Sequence, residues 1–126
     1  MFNLIKIGAL LIHTAKIDEN YSQEEEEIIK KTLISLGANR DNLETLITKA
    51  KQCEEDSNQI LDFTREIKAL EEIDKIKIIK SLWKIIYSNK DADIYETNLM
   101  RRLAGLLYID SKMMGNIKEE IKKENI

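Results

Sequence analysis

A short polar loop between two apolar helical segments occurs twice in this chain, at Ala15–Glu25 and at Ile86–Glu96. The aligned pairs are Asp18 with Asn89, Ser22 with Asp93, and Glu25 with Glu96. In each copy a residue that can cap a helix is followed three residues later by Glu, which is the spacing of a capping box. The repeat therefore predicts two similar helical pairs, in which helices one and two resemble helices five and six.

The composition favours long helices. The chain has 126 residues with no proline and four glycines, and these two residue types weaken helix interiors most. Apolar residues make up 43% of the chain and charged residues 34%, as in a globular protein with a heavily charged surface. We expect an all-α fold in a single domain over residues 1–126, a compact bundle of about seven helices with an internal pseudo-two-fold repeat.

Charge, cysteine content and the first apolar run exclude several classes of protein. The net charge is −3, from 20 basic and 23 acidic residues, which is not the footprint of a nucleic-acid binder. The single cysteine, Cys53, leaves no intrachain disulfide and gives no sign of an oxidising compartment. The first apolar run, residues 1–13, is interrupted by Lys6 and is too short to span a bilayer. We therefore expect a cytoplasmic protein without membrane insertion. We also expect a monomer or weak homo-oligomer.

Apolar residues at spacings of three and four continue along the whole chain and predict seven helices. Helix one is predicted over about residues 3–16, and helix two is predicted to end at Gly37. In helix five the apolar positions cover too wide an arc for a surface helix, so this helix should be central. The predicted helix starts are the caps Ser22, Asp41, Asp93 and either Asp110 or Ser111, with a junction at Glu71–Asp74 before helix five.

The second copy of the loop and the helices beside it resemble a known family. Leu82–Glu96, followed by Leu99–Leu107, is similar to the TerB-like family of tellurite-resistance-associated bacterial proteins. The family pattern has Leu-Trp, an Ala-Asp-Gly loop, a Tyr-Glu pair and an Arg-Arg-Ile-Ala-Asp-Leu-Leu helix. The resemblance implies an all-α fold of about seven helices, an acidic metal-related site built from the two loops, and a link to tellurite and other stress. It implies no established enzymatic reaction.

Three positions in the loops depart from that family pattern. Glu19 and Lys90 stand where the family usually has Gly, and Asn89 stands where it has a second Asp. The two missing glycines are the residues that most easily adopt a positive φ. Asn89 and Lys90 also lower the negative charge of the second loop.

The paired loops contain the candidate metal ligands. These are Asp18, Glu25, Asn89 and Glu96. All four offer oxygen, which favours a hard cation such as Ca²⁺ or Mg²⁺, with Mn²⁺ as a further candidate. Neither loop has the spacing of an EF-hand.

A second interpretation needs no ion. Ser22 and Asp93 would be helix caps, and Glu25 and Glu96 would reach back to the N–H groups of those caps. This interpretation explains the spacing without any ion, while the cation site stays open as the other possibility.

Three functions fit these residues. The first is a non-enzymatic stress-response module in which a cation ties the two helical pairs together and shapes a surface for a protein partner. The second is a metal-free protein interaction module with an apolar or Met-bearing groove. The third is a helical enzyme that uses carboxylates for acid–base chemistry, which needs a pocket holding a carboxyl of raised pKa. His13 and Cys53 carry no flanking signature of a nucleophilic site, and we expect no enzyme.

Overall fold

The computed structural model describes residues 4–17, 22–57, 60–88 and 94–124. Within these ranges the chain forms seven α-helices and no β-strand, which confirms the predicted all-α bundle. The helices are α1 (Leu4–Lys16), α2 (Gln23–Ser35), α3 (Leu43–Asp56), α4 (Leu61–Ile67), α5 (Glu72–Tyr87), α6 (Ile94–Leu106) and α7 (Ser111–Glu124).

Two helices form the centre of the bundle. The side chains of α1 are buried over most of its length, and α1 packs against α2, α3, α4 and α5. The helix α5 packs against α1, α2 and α7. The wide apolar arc predicted for helix five is confirmed, since its inward residues are almost inaccessible to solvent. They are Ile78, Ile79, Leu82, Trp83, Ile85 and Ile86.

The helices α1 and α3 approach each other closely at Gly8. A Cβ placed on Gly8 would lie 2.9 Å from the Cβ of Ala50 and 3.6 Å from Cδ1 of Leu33. Farther along, His13 of α1 faces Glu54 of α3. From the first contact to the second, the residue number increases in both helices, so α1 and α3 run parallel.

A buried hydroxyl pair joins α2 to α5. The side chains of Thr32 and Ser81 are hydrogen-bonded to each other. Each hydroxyl also lies within hydrogen-bonding distance of a carbonyl one turn earlier in its own helix, at 2.9 Å for Thr32 to Ile28 and 3.0 Å for Ser81 to Lys77. Because buried polar groups need such partners, this pair fixes the position of α2 against the central helix.

The predicted start of helix three is wrong. The N-cap of α3 is Asn42, not Asp41. Asn39 caps the turn before it: its side-chain Oδ1 accepts a hydrogen bond of 2.9 Å from the backbone N–H of Asp41. A short 3₁₀ turn, Arg40–Asn42, follows, and α3 begins at Leu43. The end of helix two is confirmed, since Gly37 has a φ of 112°, a conformation that glycine adopts without a steric penalty.

Helix five begins earlier than predicted. Glu71 is extended, with φ −66° and ψ 153°, and the helix starts at the next residue. Glu72 and Asp74 therefore lie in its first turn, where negative charge interacts favourably with the helix dipole. The predicted junction at Glu71–Asp74 is thus mostly helix.

Asp110 is the cap of helix seven, which resolves the choice between Asp110 and Ser111. Its Oδ1 accepts a hydrogen bond of 3.0 Å from the backbone N–H of Lys112. The predicted cap of helix six, Asp93, lies outside the described residues. The internal repeat therefore stays a prediction.

Candidate functional site

The first loop ends in a capping box, as the spacing predicts. Ser22 is extended, and its Oγ accepts a hydrogen bond of 3.1 Å from the backbone N–H of Glu25. In return, Oε1 of Glu25 accepts a hydrogen bond of 2.8 Å from the backbone N–H of Ser22. The capping interpretation is therefore confirmed at this corner of the bundle. Glu25 as a residue is only 1% exposed to solvent.

Glu96 is the corresponding residue at the second corner. It lies in the first turn of α6 and is 4% exposed. Among the described residues, Glu25 and Glu96 are the buried carboxylates. Two of the four predicted ligands are thus placed in buried first-turn positions, whereas Asp18 and Asn89 lie outside the described residues.

The burial of these carboxylates has an energetic consequence. A buried carboxylate is unfavourable unless hydrogen bonds or positive charge compensate for the loss of water. The N-terminus of a helix provides part of this compensation, and the bond from Ser22 provides more for Glu25. Each carboxylate oxygen has two lone pairs, so a carboxylate that accepts a hydrogen bond at a helix cap can also be a cation ligand.

The neighbouring acid, Glu26, is directed toward α3 instead. Its Oε1 lies 3.0 Å from Nζ of Lys51, and its Oε2 lies 3.8 Å from Nζ of Lys30. Lys30 in turn lies 2.7 Å from a carboxylate oxygen of Glu44. These ion pairs join the first half of α2 to α3. The described residues contain no group of three or more His, Cys, Asp or Glu side chains that could hold a metal.

Sequence reasoning missed a charged cluster at the end of α1. Oε1 of Glu54 lies 2.7 Å from Nζ of Lys16, and its Oε2 lies 3.2 Å from Nδ1 of His13. The residues are about forty positions apart in the sequence, so nothing local in the sequence indicates that they meet. The cluster orients the last turn of α1, from which the chain continues to Asp18.

The cluster shifts the pKa of two of its members. Burial alone would raise the pKa of the Glu54 carboxyl, but the hydrogen bonds from Lys16 and His13 outweigh burial and hold that pKa below its ordinary value. The same contact with Glu54 raises the pKa of Lys16. Glu54 is therefore held as a carboxylate in the folded protein.

We expect Glu54→Gln to lower the free energy of unfolding at pH 7 by about 1 kcal/mol, a small value because Lys16 is partly exposed to solvent. The lowered pKa of Glu54 means that its stabilisation is complete above the ordinary glutamate pKa, about 4.3, and is lost as the pH falls below it. Urea unfolding between pH 3 and pH 7 measures both effects. The loss of stability on acidification should be shallower in Glu54→Gln than in the unmodified protein.

The matched control is Glu66→Gln, which changes an exposed carboxylate on α4. It should leave both the stability at pH 7 and the acid slope unchanged. Equal acid slopes for Glu54→Gln and the unmodified protein would contradict the role assigned to this cluster.

A groove lies between α6 and α7, beside the second corner. Its volume is about 430 Å³, and its floor includes Trp83 of α5. Thr97, which follows Glu96 directly, lines one part of the groove. The groove therefore lies close to the buried Glu96.

Comparison with known families shows to which family the chain belongs. Residues 4–119 match the family model described as tellurite resistance protein TerB. The chain belongs to the TerB family. The match covers both polar loops and nearly all of the helical bundle, and it confirms the resemblance carried by Leu82–Glu96 and Leu99–Leu107. No curated protein and no solved structure matches the chain.

TerB membership associates the chain with tellurite resistance. It places both candidate corners, at Glu25 and at Glu96, inside the part of the chain that is typical of the family. None of the described helices has the length and apolar character needed to cross a membrane.

Proposed function

We propose that this TerB-family chain is a non-enzymatic, cytoplasmic module of tellurite resistance and stress response, which binds a divalent cation at its paired acidic loops and engages a protein partner. The proposed ligands are Asp18, Glu25, Asn89 and Glu96. The observation that supports this function is the burial of Glu25 and Glu96, which occupy equivalent positions in the sequence repeat.

A hard cation suits these ligands. Carboxylate and amide oxygens favour Ca²⁺ or Mg²⁺, and Mn²⁺ accepts the same ligands. The cation would compensate the negative charge of the two buried carboxylates. In doing so it would hold the two helical pairs together and fix the surface that the partner meets.

Thermal unfolding tests the cation. At a free Ca²⁺ or Mn²⁺ concentration about ten times the Kd, binding stabilises the folded state by about 1.4 kcal/mol, which corresponds to a rise in Tm of roughly 5 °C for a chain of this size. The double variant Asp18→Ala with Glu96→Ala should abolish the rise. An unmodified protein whose Tm is the same in Ca²⁺, Mn²⁺ and EDTA would contradict cation binding.

A second variant separates the cation from the helix cap. Glu25→Gln keeps a side-chain oxygen that can accept the hydrogen bond from Ser22, but it removes the negative charge. It should therefore reduce the cation-dependent rise in Tm, measured against the Tm of the same variant in EDTA. Glu24→Gln, an exposed change in the same turn, is the matched control and should keep the full rise.

The alternative function is a metal-free protein interaction module. The capping box between Ser22 and Glu25 favours it, because this hydrogen-bonded pair accounts for the spacing of the first loop without an ion. In that case partner binding would be the same in EDTA and in Ca²⁺, and the Tm would not depend on either.

A further inference from the structure

The groove between α6 and α7 has an apolar floor. Trp83 is buried there, and its indole Nε1–H donates a hydrogen bond of 3.3 Å to Sδ of Met114. Met100 of α6 also lines the groove. Since the one polar group of the indole is already bonded, the floor presents mainly carbon and sulfur. Methionine side chains adapt readily to the shape of a bound apolar group.

Two glycines line the groove, one on each helix, and neither places a side chain in it. Gly105 of α6 and Gly115 of α7 both line it. A Cβ added at either position would have no atom within 4 Å, so the packing of the chain itself does not require glycine there. Glycine inside a helix costs about 0.5–1 kcal/mol relative to alanine. What the two glycines provide is access to the backbone of both helices from the groove.

Among the described residues, two charged side chains line the groove, and both are positive: Arg101 on α6 and Lys118 on α7. Nζ of Lys118 lies 5.5 Å from the centre of the Trp83 ring. Within the described part of the chain, neither cation takes part in a salt bridge. A protein with a net charge of −3 thus presents an apolar groove bordered by positive charge.

We propose that this groove binds an acidic amphipathic helix of a partner protein. An apolar groove between two helices is a common receptor for the apolar face of a third helix. Gly105 and Gly115 would allow its backbone to approach closely, and Arg101 and Lys118 would pair with its carboxylates. The inference rests on the proposed function in one respect, the existence of a protein partner, and it does not require the cation.

The probe is a displayed library of helical peptides with apolar residues at positions i, i+3, i+4 and i+7 and either Glu or Lys at the other positions. Trp83 is the only tryptophan, so its fluorescence reports directly on the floor of the groove. We expect the selected peptides to be rich in Glu and to change the Trp83 emission on binding. Selection of Lys-rich peptides, or of no peptides, overturns the proposal.

A matched pair of variants tests the location. Arg101→Glu reverses a charge that lines the groove and should weaken binding of the selected peptides about tenfold. Arg102→Glu makes the same change on the next residue, which is exposed and outside the groove, and should leave the affinity unchanged. Equal losses for the two variants overturn the proposal.

Gly115→Leu tests the shape of the groove with a variant that should fold. The Cβ of the new side chain would meet no atom within 4 Å, and leucine favours the helix more than glycine does. We expect an unchanged or higher Tm and a loss of peptide binding of about tenfold or more. Retained affinity in a folded Gly115→Leu protein overturns the proposal.

Performing each titration in EDTA and in Ca²⁺ distinguishes this inference from the proposed function. Peptide binding without any cation-dependent Tm supports the groove and contradicts the cation. A cation-dependent Tm without peptide binding contradicts the groove alone.

Discussion

Gly8→Val is expected to lower the free energy of unfolding by about 3 kcal/mol, as overpacking of a tight interface does, and to lower Tm by roughly 10 °C. The cause is the close approach of α1 and α3. Even the first carbon of the new side chain would lie 2.9 Å from the Cβ of Ala50, so the two helices must separate or bend. Chemical denaturation of the two proteins measures the difference.

A double-mutant cycle that adds a methyl group on α1 and removes one from α3 tests whether these two positions are in contact. Gly8→Ala introduces the clash, and Ala50→Gly removes the atom that it meets. In a double-mutant cycle the two changes should couple favourably by about 1 kcal/mol or more. Gly105→Ala, at a helical glycine whose Cβ would meet nothing, should be neutral or stabilising. A Gly8→Val protein as stable as the unmodified one would contradict the close approach of α1 and α3.

Ile79→Ala is expected to lower the free energy of unfolding by about 3–4 kcal/mol, within the range for large-to-small changes in a core. Ile79 lies on the central helix α5 and is fully buried. Its truncation removes apolar contacts and leaves a cavity between helices that other packing holds in place. Urea unfolding followed by circular dichroism measures the loss.

Ile73 provides the control on the same helix. It is 63% exposed, so Ile73→Ala removes little buried surface and replaces isoleucine by a better helix former. Its effect should stay within about 0.5 kcal/mol. Similar losses for Ile73→Ala and Ile79→Ala would mean that α5 is not the buried centre of the bundle.

The helical architecture could be predicted because it depends on the local spacing of apolar residues along the sequence. The apolar arc of helix five predicted a central helix, and the apolar side chains between Ile78 and Ile86 are buried accordingly. Helix starts were less predictable, because several adjacent residues can cap. Asn39 and Asp41 are both good caps, but Asn39 caps a 3₁₀ turn that contains Asp41, and α3 starts only after that turn.

Within the candidate site, only contacts between residues close in the sequence could be predicted. The capping box joins Ser22 to Glu25, three residues apart, and its spacing identified it. The contacts of Glu54 with His13 and Lys16 depend on the parallel packing of α1 and α3, which no local pattern encodes. The close approach at Gly8 depends on the same packing. The predicted cation ligands Asp18 and Asn89 lie outside the described residues, so the full ligand set remains a proposal.

Gly105 and Gly115 affect the stability of their helices and the width of the groove in opposite directions. Alanine at either position would strengthen a helix by about 0.5–1 kcal/mol, yet each added methyl group would narrow the groove above Trp83. Selection for heat resistance alone would therefore replace both glycines, since such substitutions are a common route to greater stability. In the proposed complex, these glycines leave part of the attainable stability unused and keep an open surface between α6 and α7.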